Sequence, residues 1–314
     1  MHFLKRIAMM ERRKSDGTTR FLQRVSAEGY RNLICVLLSH LLFCACQGTP
    51  TGEPELSFIN IADGIDYARL RKSQPGQIPA DGHVFRFELP KVGLRLLPAG
   101  GPTTRRDVNV IARSLEDVVA TNASFFDKED RAMGMVVDQG RAVSKRIISS
   151  WGAFVIQEGR AGIYPGSKLS SLPASTLDLV VQGTPRWVID GVVPKLKAQV
   201  ARRTALCAQD HLVTLVIATT PVQAQPFANF LARSREKGGL GCMQALNLDG
   251  GPSTQLAARI GDIRVNAPGG WGVPNALVAL PGLPADASLK RIQSPADMPS
   301  SPAHNRPDEP EIRR

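Results

Sequence analysis

The stretch 247-NLDGGPST-254 closes an apolar run (Met243, Ala245, Leu246, Leu248) and opens into two glycines and two hydroxyls. A strand-like run that ends on Asn247 and Asp249 and turns on Gly250 and Gly251 has two readings. Asp-Gly-Gly is ordinary turn chemistry. Polar side chains where strands run into loops are also where binding and catalytic groups stand. The surrounding chain decides between them.

Immediately upstream, residues 223–236 place Phe227, Phe230 and Leu231 on one face of a helix. Gly238, Gly239 and Gly241 follow as a stop signal. Before the helix, 202-RRTALCAQDHLVTLVIATT-220 reads as two strands joined around Gln209-Asp210-His211. Working further outward, HVFRFEL (83–89) alternates apolar and polar residues, and VGLRLLP (92–98) does so loosely. DVVATNASFF (117–126) reads as a buried strand ending on a polar pair. Residues 133–143 predict a hairpin around Asp138-Gln139-Gly140, and 151–165 another turning at Glu158-Gly159. Residues 176–183 and 186–194 predict a third pair, and 270–281 a final strand. No internal repeat is present. The sum is a β-rich α+β fold: a single domain over 57–283, with mixed sheets, hairpins and a packed helix towards its C-terminal end.

The chain has 314 residues and a formal net charge of +11. Residues 1–46 carry eight Lys or Arg against three Asp or Glu, so five of those charges sit in the leader. The rest is mildly basic and has no Lys/Arg cluster interleaved with aromatics, which excludes a nucleic-acid surface as the leading expectation. The basic leader runs into 32-NLICVLLSHLLFCAC-46, an apolar run too short to span a bilayer and of secretory-signal type. Its end, FCAC, resembles a lipobox with Cys46 as the acylated residue. The sequence therefore predicts a signal and lipoprotein leader over 1–46 and a tether over 47–56. It also predicts membrane attachment through the lipid on Cys46, in the periplasm or at the outer membrane. Cleavage without lipid is the other reading. Residues 284–314 are Pro-rich and aperiodic and read as a disordered tail. Cys207 and Cys242 are the cysteines of the domain. In an oxidising compartment they either pair or stand as two buried thiols.

Three polar points end apolar strands: 121-TNASFFD-127, Arg203-Thr204, and Asn247 to Thr254. Together they offer two carboxylates (Asp127, Asp249), two amides (Asn122, Asn247) and a guanidinium. Amides both donate and accept, which suits sugar hydroxyls. Arginine matches a pair of phosphate oxygens. Glycines beside Asp249 allow close approach of a ligand to the backbone. Paired carboxylates are the usual equipment for glycosidic cleavage. His83 and His211 are isolated, so neither a histidine-based triad nor a zinc site is expected. Asp127, Asp130 and Asp138 fit no calcium-loop spacing. Ser253 follows Gly-Gly-Pro and lacks the elbow of a serine nucleophile. No metal or other cofactor is expected.

In order along the chain, TNASFFD, GMVVDQG, RRTA, ALNLDGGPST and VPNALVAL resemble the phosphodiester glycosidase family over about residues 60–282. The resemblance implies a glycosidase acting on a sugar-1-phosphodiester. It implies catalytic roles for Asp249, Asp127 and Arg203. Substrate contacts are implied for Asn122, Phe125, Thr204, Asn247, Gly250, Gly251, Ser253, Thr254 and Asn275, with Arg146 as a further candidate beside Lys145. Pro252 stands where the family commonly has a third glycine, and Cys207 where it commonly has glycine. On this reading Asp249 is nucleophile or base, Asp127 the second carboxylate or a hydroxyl ligand, and Arg203 the stabiliser of the leaving phosphate. The partner is a glycan, an exopolysaccharide or envelope polymer. A glycan-binding lipoprotein without catalysis, on the same scaffold, is the alternative.

Overall fold

In the computed structural model, residues 56–73, 78–89 and 91–282 are described. They lie in the unit Glu53–Arg314. The leader with Cys46, nearly all of the tether and the tail beyond Leu283 lie outside the described residues.

Three antiparallel sheets build the domain. The seven-stranded sheet runs, in spatial order, Ile59–Ala62, Ile65–Leu70, Gly82–Glu88, Leu212–Gln223, Val200–Gln209, Ala245–Asn247 and Arg186–Val188. A five-stranded sheet orders Arg141–Ser144, Val136–Asp138, Leu177–Gly183, Gly152–Gln157 and Arg160–Pro165. The third sheet orders Ile263–Ala267, Leu256–Ile260, Val118–Asn122, Asn275–Pro281 and Val92–Pro98.

Strand alternation sorts the side chains of the large sheet into two cores. Phe85, Phe87, Leu206, Leu215 and Ile217 face inward, where they meet Phe154 of the second sheet and Leu277 of the third. Val84, Ala205, Cys207 and Val216 face the other way, onto Trp187 and the helix Ala224–Ala232. Both faces are covered, so the strand reads as nearly continuously buried rather than alternating. The second and third sheets are tied by a bidentate ion pair. Asp138 accepts from Arg95 Nε (2.9 Å) and Nη2 (2.7 Å), and from the Leu96 N–H (2.9 Å).

Two hairpins turn where the sequence places them. Gln139 and Gly140, and Glu158 and Gly159, all have positive φ, the geometry that two-residue hairpin loops demand. Three expectations need correction. The sheets are antiparallel rather than mixed, because each strand is joined to its neighbours by antiparallel pairings. The helix over 223–236 is shorter, Ala224–Ala232, and four further strands follow it, so it is not a C-terminal element. Its end comes where Arg233 leaves helical geometry, with Arg235–Lys237 forming a separate short turn. The strands near 176–183 and 186–194 do not pair with each other. Leu177–Gly183 belongs to the second sheet, and Arg186–Val188 crosses to the edge of the first. Gly183 makes the crossing possible, because a Cβ there would run into the Asn247 carbonyl oxygen.

Candidate active site

The quoted turn lies where the first and third sheets come together. Strand Val118–Asn122 ends on Asn122, whose side chain is fully buried. Its carbonyl oxygen accepts from the Thr204 hydroxyl (2.9 Å) and from the Gln255 N–H (3.1 Å). Its amide nitrogen donates to the Asp249 carbonyl oxygen at 2.6 Å. One side chain thus joins the strand Val200–Gln209 of one sheet to both ends of the 249–255 turn. Buried polar groups are costly unless hydrogen-bonded, and here both the oxygen and the nitrogen of the Asn122 amide are bonded. The Thr204 and Thr254 hydroxyls stand 3.4 Å apart in the same buried layer.

Asp249 occupies the mouth of this frame and is half-buried. The Gly250 N–H donates to its Oδ1 at 3.0 Å, and the buried Ser253 hydroxyl donates to the same carboxylate. Burial raises its pKa to about 6, against the lowering effect of those two donors. Gly251 has φ +60°, with open space where a Cβ would stand. Gly250 presses on the Arg202 carbonyl, where a Cβ would lie 3.1 Å from the oxygen. Both glycines therefore have local reasons, one conformational and one steric.

The neighbouring loop is held by Asn275. Its Oδ1 accepts from the Ser124 N–H (3.0 Å), and its Nδ2 donates to the Ser124 hydroxyl (2.8 Å). Phe125 follows and packs edge-on against Trp151, ring centroids 5.1 Å apart. Asn247 is used by the fold through its nitrogens, and its buried Oδ1 accepts no hydrogen bond from the described residues. Its Nδ2 donates to the Thr184 carbonyl (2.6 Å) and its N–H to that of Pro185 (3.0 Å).

Asp127 is taken up by its own loop. Its Oδ1 accepts from the Glu129 and Arg131 N–H groups (3.0 and 2.9 Å), and its Oδ2 from Arg131 Nε (2.8 Å). Burial pulls its pKa upward, but the Arg131 hydrogen bonds and charge outweigh that, and the net shift is downward. Arg146 lies exposed beyond the strand Arg141–Ser144.

Arg203 stands apart from this cluster. It points to the helix side of its strand, its guanidinium 5.3 Å from the Trp187 ring centroid, and donates to the Gln199 carbonyl at 2.8 Å. Adjacent strand residues face opposite sides, so Arg203 and Thr204 do not share a face. Arg202 supplies the guanidinium that the turn receives. Its Nη2 donates to the Thr254 carbonyl (2.6 Å) and the Pro268 carbonyl (2.9 Å). Burial lowers the pKa of both arginines. Arg202 and Gln255 were absent from the sequence-derived set. The period-two rule applied backward from Thr204 would have selected Arg202.

Two surface hollows, of about 550 and 610 Å³, lie elsewhere, around Tyr164 with Gln244 and around Arg86 with His211. Neither includes Asp249. Among the described residues, no three His, Cys, Asp or Glu side chains converge as a metal site would require.

Residues 116–280 match the phosphodiester glycosidase family, just over half of the chain and every polar group of the turn. The chain belongs to the phosphodiester glycosidase family. Its similarity to solved structures is distant. The catalytic domain of zebrafish N-acetylglucosamine-1-phosphodiester alpha-N-acetylglucosaminidase, auto-inhibited by its pro-peptide, is 17% identical with a TM-score of 0.49. The match covers 74% of this chain and 85% of that one. A hypothetical protein from Synechocystis is 18% identical with a TM-score of 0.47, covering 73% of this chain and 64% of the other. No curated protein matches the chain significantly in sequence. For this phosphodiester glycosidase domain, the polar turn and its two supporting strands all fall within the matched residues.

Proposed function

We propose that the protein hydrolyses a sugar-1-phosphodiester linkage in an envelope or extracellular glycan, with Asp249 as the base. One observation carries this reading: a half-buried carboxyl with a pKa near 6, held in a frame of buried hydrogen bonds within the family-matched residues. A carboxyl so poised exchanges a proton near neutral pH, whereas an ordinary surface carboxylate is too weak a base. Water attacks the anomeric carbon and Asp249 takes its proton. The bond between the anomeric carbon and the bridging phosphate oxygen breaks, and the phosphate leaves with the bonding electrons as a monoester. A phosphate is already a good leaving group, so the second carboxylate of an ordinary glycosidase is dispensable. That agrees with Asp127 being tied to Arg131. Arg202 rather than Arg203 takes the role of charge stabiliser, because Arg202 is bonded to the turn itself. The open space at Gly251 admits the substrate close to the backbone.

We further infer an exported, lipid-anchored protein, from the basic leader, the apolar run and Cys46. The disulfide between Cys207 and Cys242 supports an oxidising compartment.

The test is release of free sugar from UDP-N-acetylglucosamine and from synthetic hexose and N-acetylhexosamine 1-phosphodiesters. Turnover of at least one of them is expected. A folded protein that releases sugar from none contradicts the proposal. The engagement of Asp127 by its own loop favours a second reading, glycan binding without hydrolysis. It predicts saturable sugar binding with no product.

A further inference from the structure

Residues 268–272 form the Pro-Gly-Gly-Trp-Gly loop, and its backbone is docked on the site turn. The Gly270 and Trp271 N–H groups both donate to the Pro252 carbonyl (2.7 and 3.3 Å). The Trp271 carbonyl accepts from Gln255 Nε2 at 2.7 Å. Gln255 itself is buried, and its Oε1 accepts from the Val108 N–H at 2.9 Å. Gly269 lies so close to Pro252 and Gln255 that a Cβ would collide with both. The main chain of Trp271 is therefore fixed to a residue three positions from Asp249.

The side chain is treated differently. Trp271 is 48% exposed, while Trp187 is fully buried in the core and Trp151 is half-buried against Phe125. About half of the Trp271 surface is left in solvent although its backbone is held. The indole offers a flat apolar face with one N–H at its edge. Beside it, Gly272 packs on the backbone of Arg105, where a Cβ would lie 3.1 Å from the Arg105 carbonyl carbon. The Arg105 guanidinium lies over the Phe126 ring at 4.8 Å and pairs with Asp130 at 2.9 Å. An indole on a held backbone and a guanidinium carried by the segment that packs on the next residue, Gly272, match a pyranose ring followed by a phosphate.

We propose that Trp271 is a platform for the glycan unit beyond the scissile linkage, so that the preferred substrate is a chain of sugar-phosphate repeats rather than a single sugar phosphodiester. This rests on the sugar-1-phosphodiester reading above and adds chain length to it. The stack takes the apolar face of a pyranose ring, and Arg105 takes the adjoining phosphate.

The experiment is calorimetric binding of synthetic N-acetylglucosamine 1-phosphate oligomers of one and of three repeats. It uses the full chain carrying Asp249→Asn, so that hydrolysis does not consume the ligand. Three repeats should bind roughly tenfold more tightly than one, a gain of the size one aromatic contact provides. In Trp271→Ala the ratio should fall to near unity, and Trp271→Phe should restore most of it, with all three proteins folded at the temperature of the titration. An unchanged ratio in Trp271→Ala, or no preference for three repeats in the parent protein, overturns the platform alone. Failure of the parent to bind either oligomer overturns the platform together with the substrate class on which it rests.

Discussion

The Asn122 amide nitrogen lies 2.6 Å from the Asp249 carbonyl oxygen, and this bond fixes the turn that presents the Asp249 carboxylate. The two residues are 127 positions apart in sequence. The sequence marks Asn122 as a substrate contact and Asp249 as a catalytic carboxylate, yet only Asp249 is left partly exposed. Asn122 is a positioning residue, spent on Thr204, Gln255 and the Asp249 backbone.

Replacing Asn122 should therefore cost stability before it costs binding. Asn122→Ala leaves the Thr204 hydroxyl and the Gln255 N–H buried without their acceptor, each worth roughly 1–3 kcal/mol. A loss of about 2–4 kcal/mol is expected in urea unfolding at pH 7. A variant as stable as the parent would show that these bonds do not hold the turn.

Asp249 should behave in the opposite way. Its folded pKa of about 6 lies above the unfolded value of 3.8. The folded state thus holds its proton more tightly than the unfolded chain, and stability from this group is full below the unfolded value. That stability is lost as pH rises through about 6. Above that pH the buried carboxylate is a penalty on the order of 1–3 kcal/mol. Asp249→Asn should therefore melt higher than the parent at pH 7.5, and the gap should close towards pH 4. A gap that is constant with pH would mean that the carboxyl is not perturbed.

The two adjacent arginines separate by role. Arg202→Met removes the guanidinium bonded to the Thr254 and Pro268 carbonyls and should lower kcat/KM on a phosphodiester by about 100-fold, roughly 3 kcal/mol of transition-state stabilisation. Arg203→Met removes a buried cation held by Gln199 and the Trp187 ring, both uncharged, and methionine fills the space beside Trp187. It should keep activity within about threefold and leave stability equal or higher. Steady-state kinetics on both variants checks this, and equal losses would return Arg203 to the site.

The Cys207–Cys242 bridge closes a loop of 35 residues around the helix Ala224–Ala232. Loop-closure entropy of that length is worth about 3–4 kcal/mol. Reduction, or Cys207→Ala with Cys242→Ala, should lower the melting temperature by several degrees. A melting curve indifferent to reductant would mean that the link contributes nothing.

Much of the architecture is readable from period-two patterning and from Gly at hairpin tips, as at Gly140 and Gly159. The partition of strands into sheets is not. Arg186–Val188 leaves its sequence neighbour for the far edge of another sheet, because Asn247, distant in sequence, binds the Thr184 and Pro185 carbonyls. Such long-range bonds leave no local trace. At the site, residue types were legible but their directions were not. Asn275 and Asp127 have the chemistry of ligands, and the fold consumes them, whereas Asn247 spends its amide nitrogen on the Thr184 carbonyl and leaves its buried oxygen without a partner among the described residues. The face of Arg203 was within reach of simple alternation from Thr204. The raised pKa of Asp249 was not, since it depends on how three separate segments bury it.

The most direct test of the account is kcat/KM against pH for release of sugar from a sugar-1-phosphodiester. A base with a pKa of about 6 must be ionised to act. Activity should therefore be flat above about pH 7 and fall close to tenfold per unit on the acid side of 6, and Asp249→Asn should be inactive throughout. Full activity persisting to pH 4, or turnover surviving in Asp249→Asn, would contradict the assignment of Asp249 as the catalytic base.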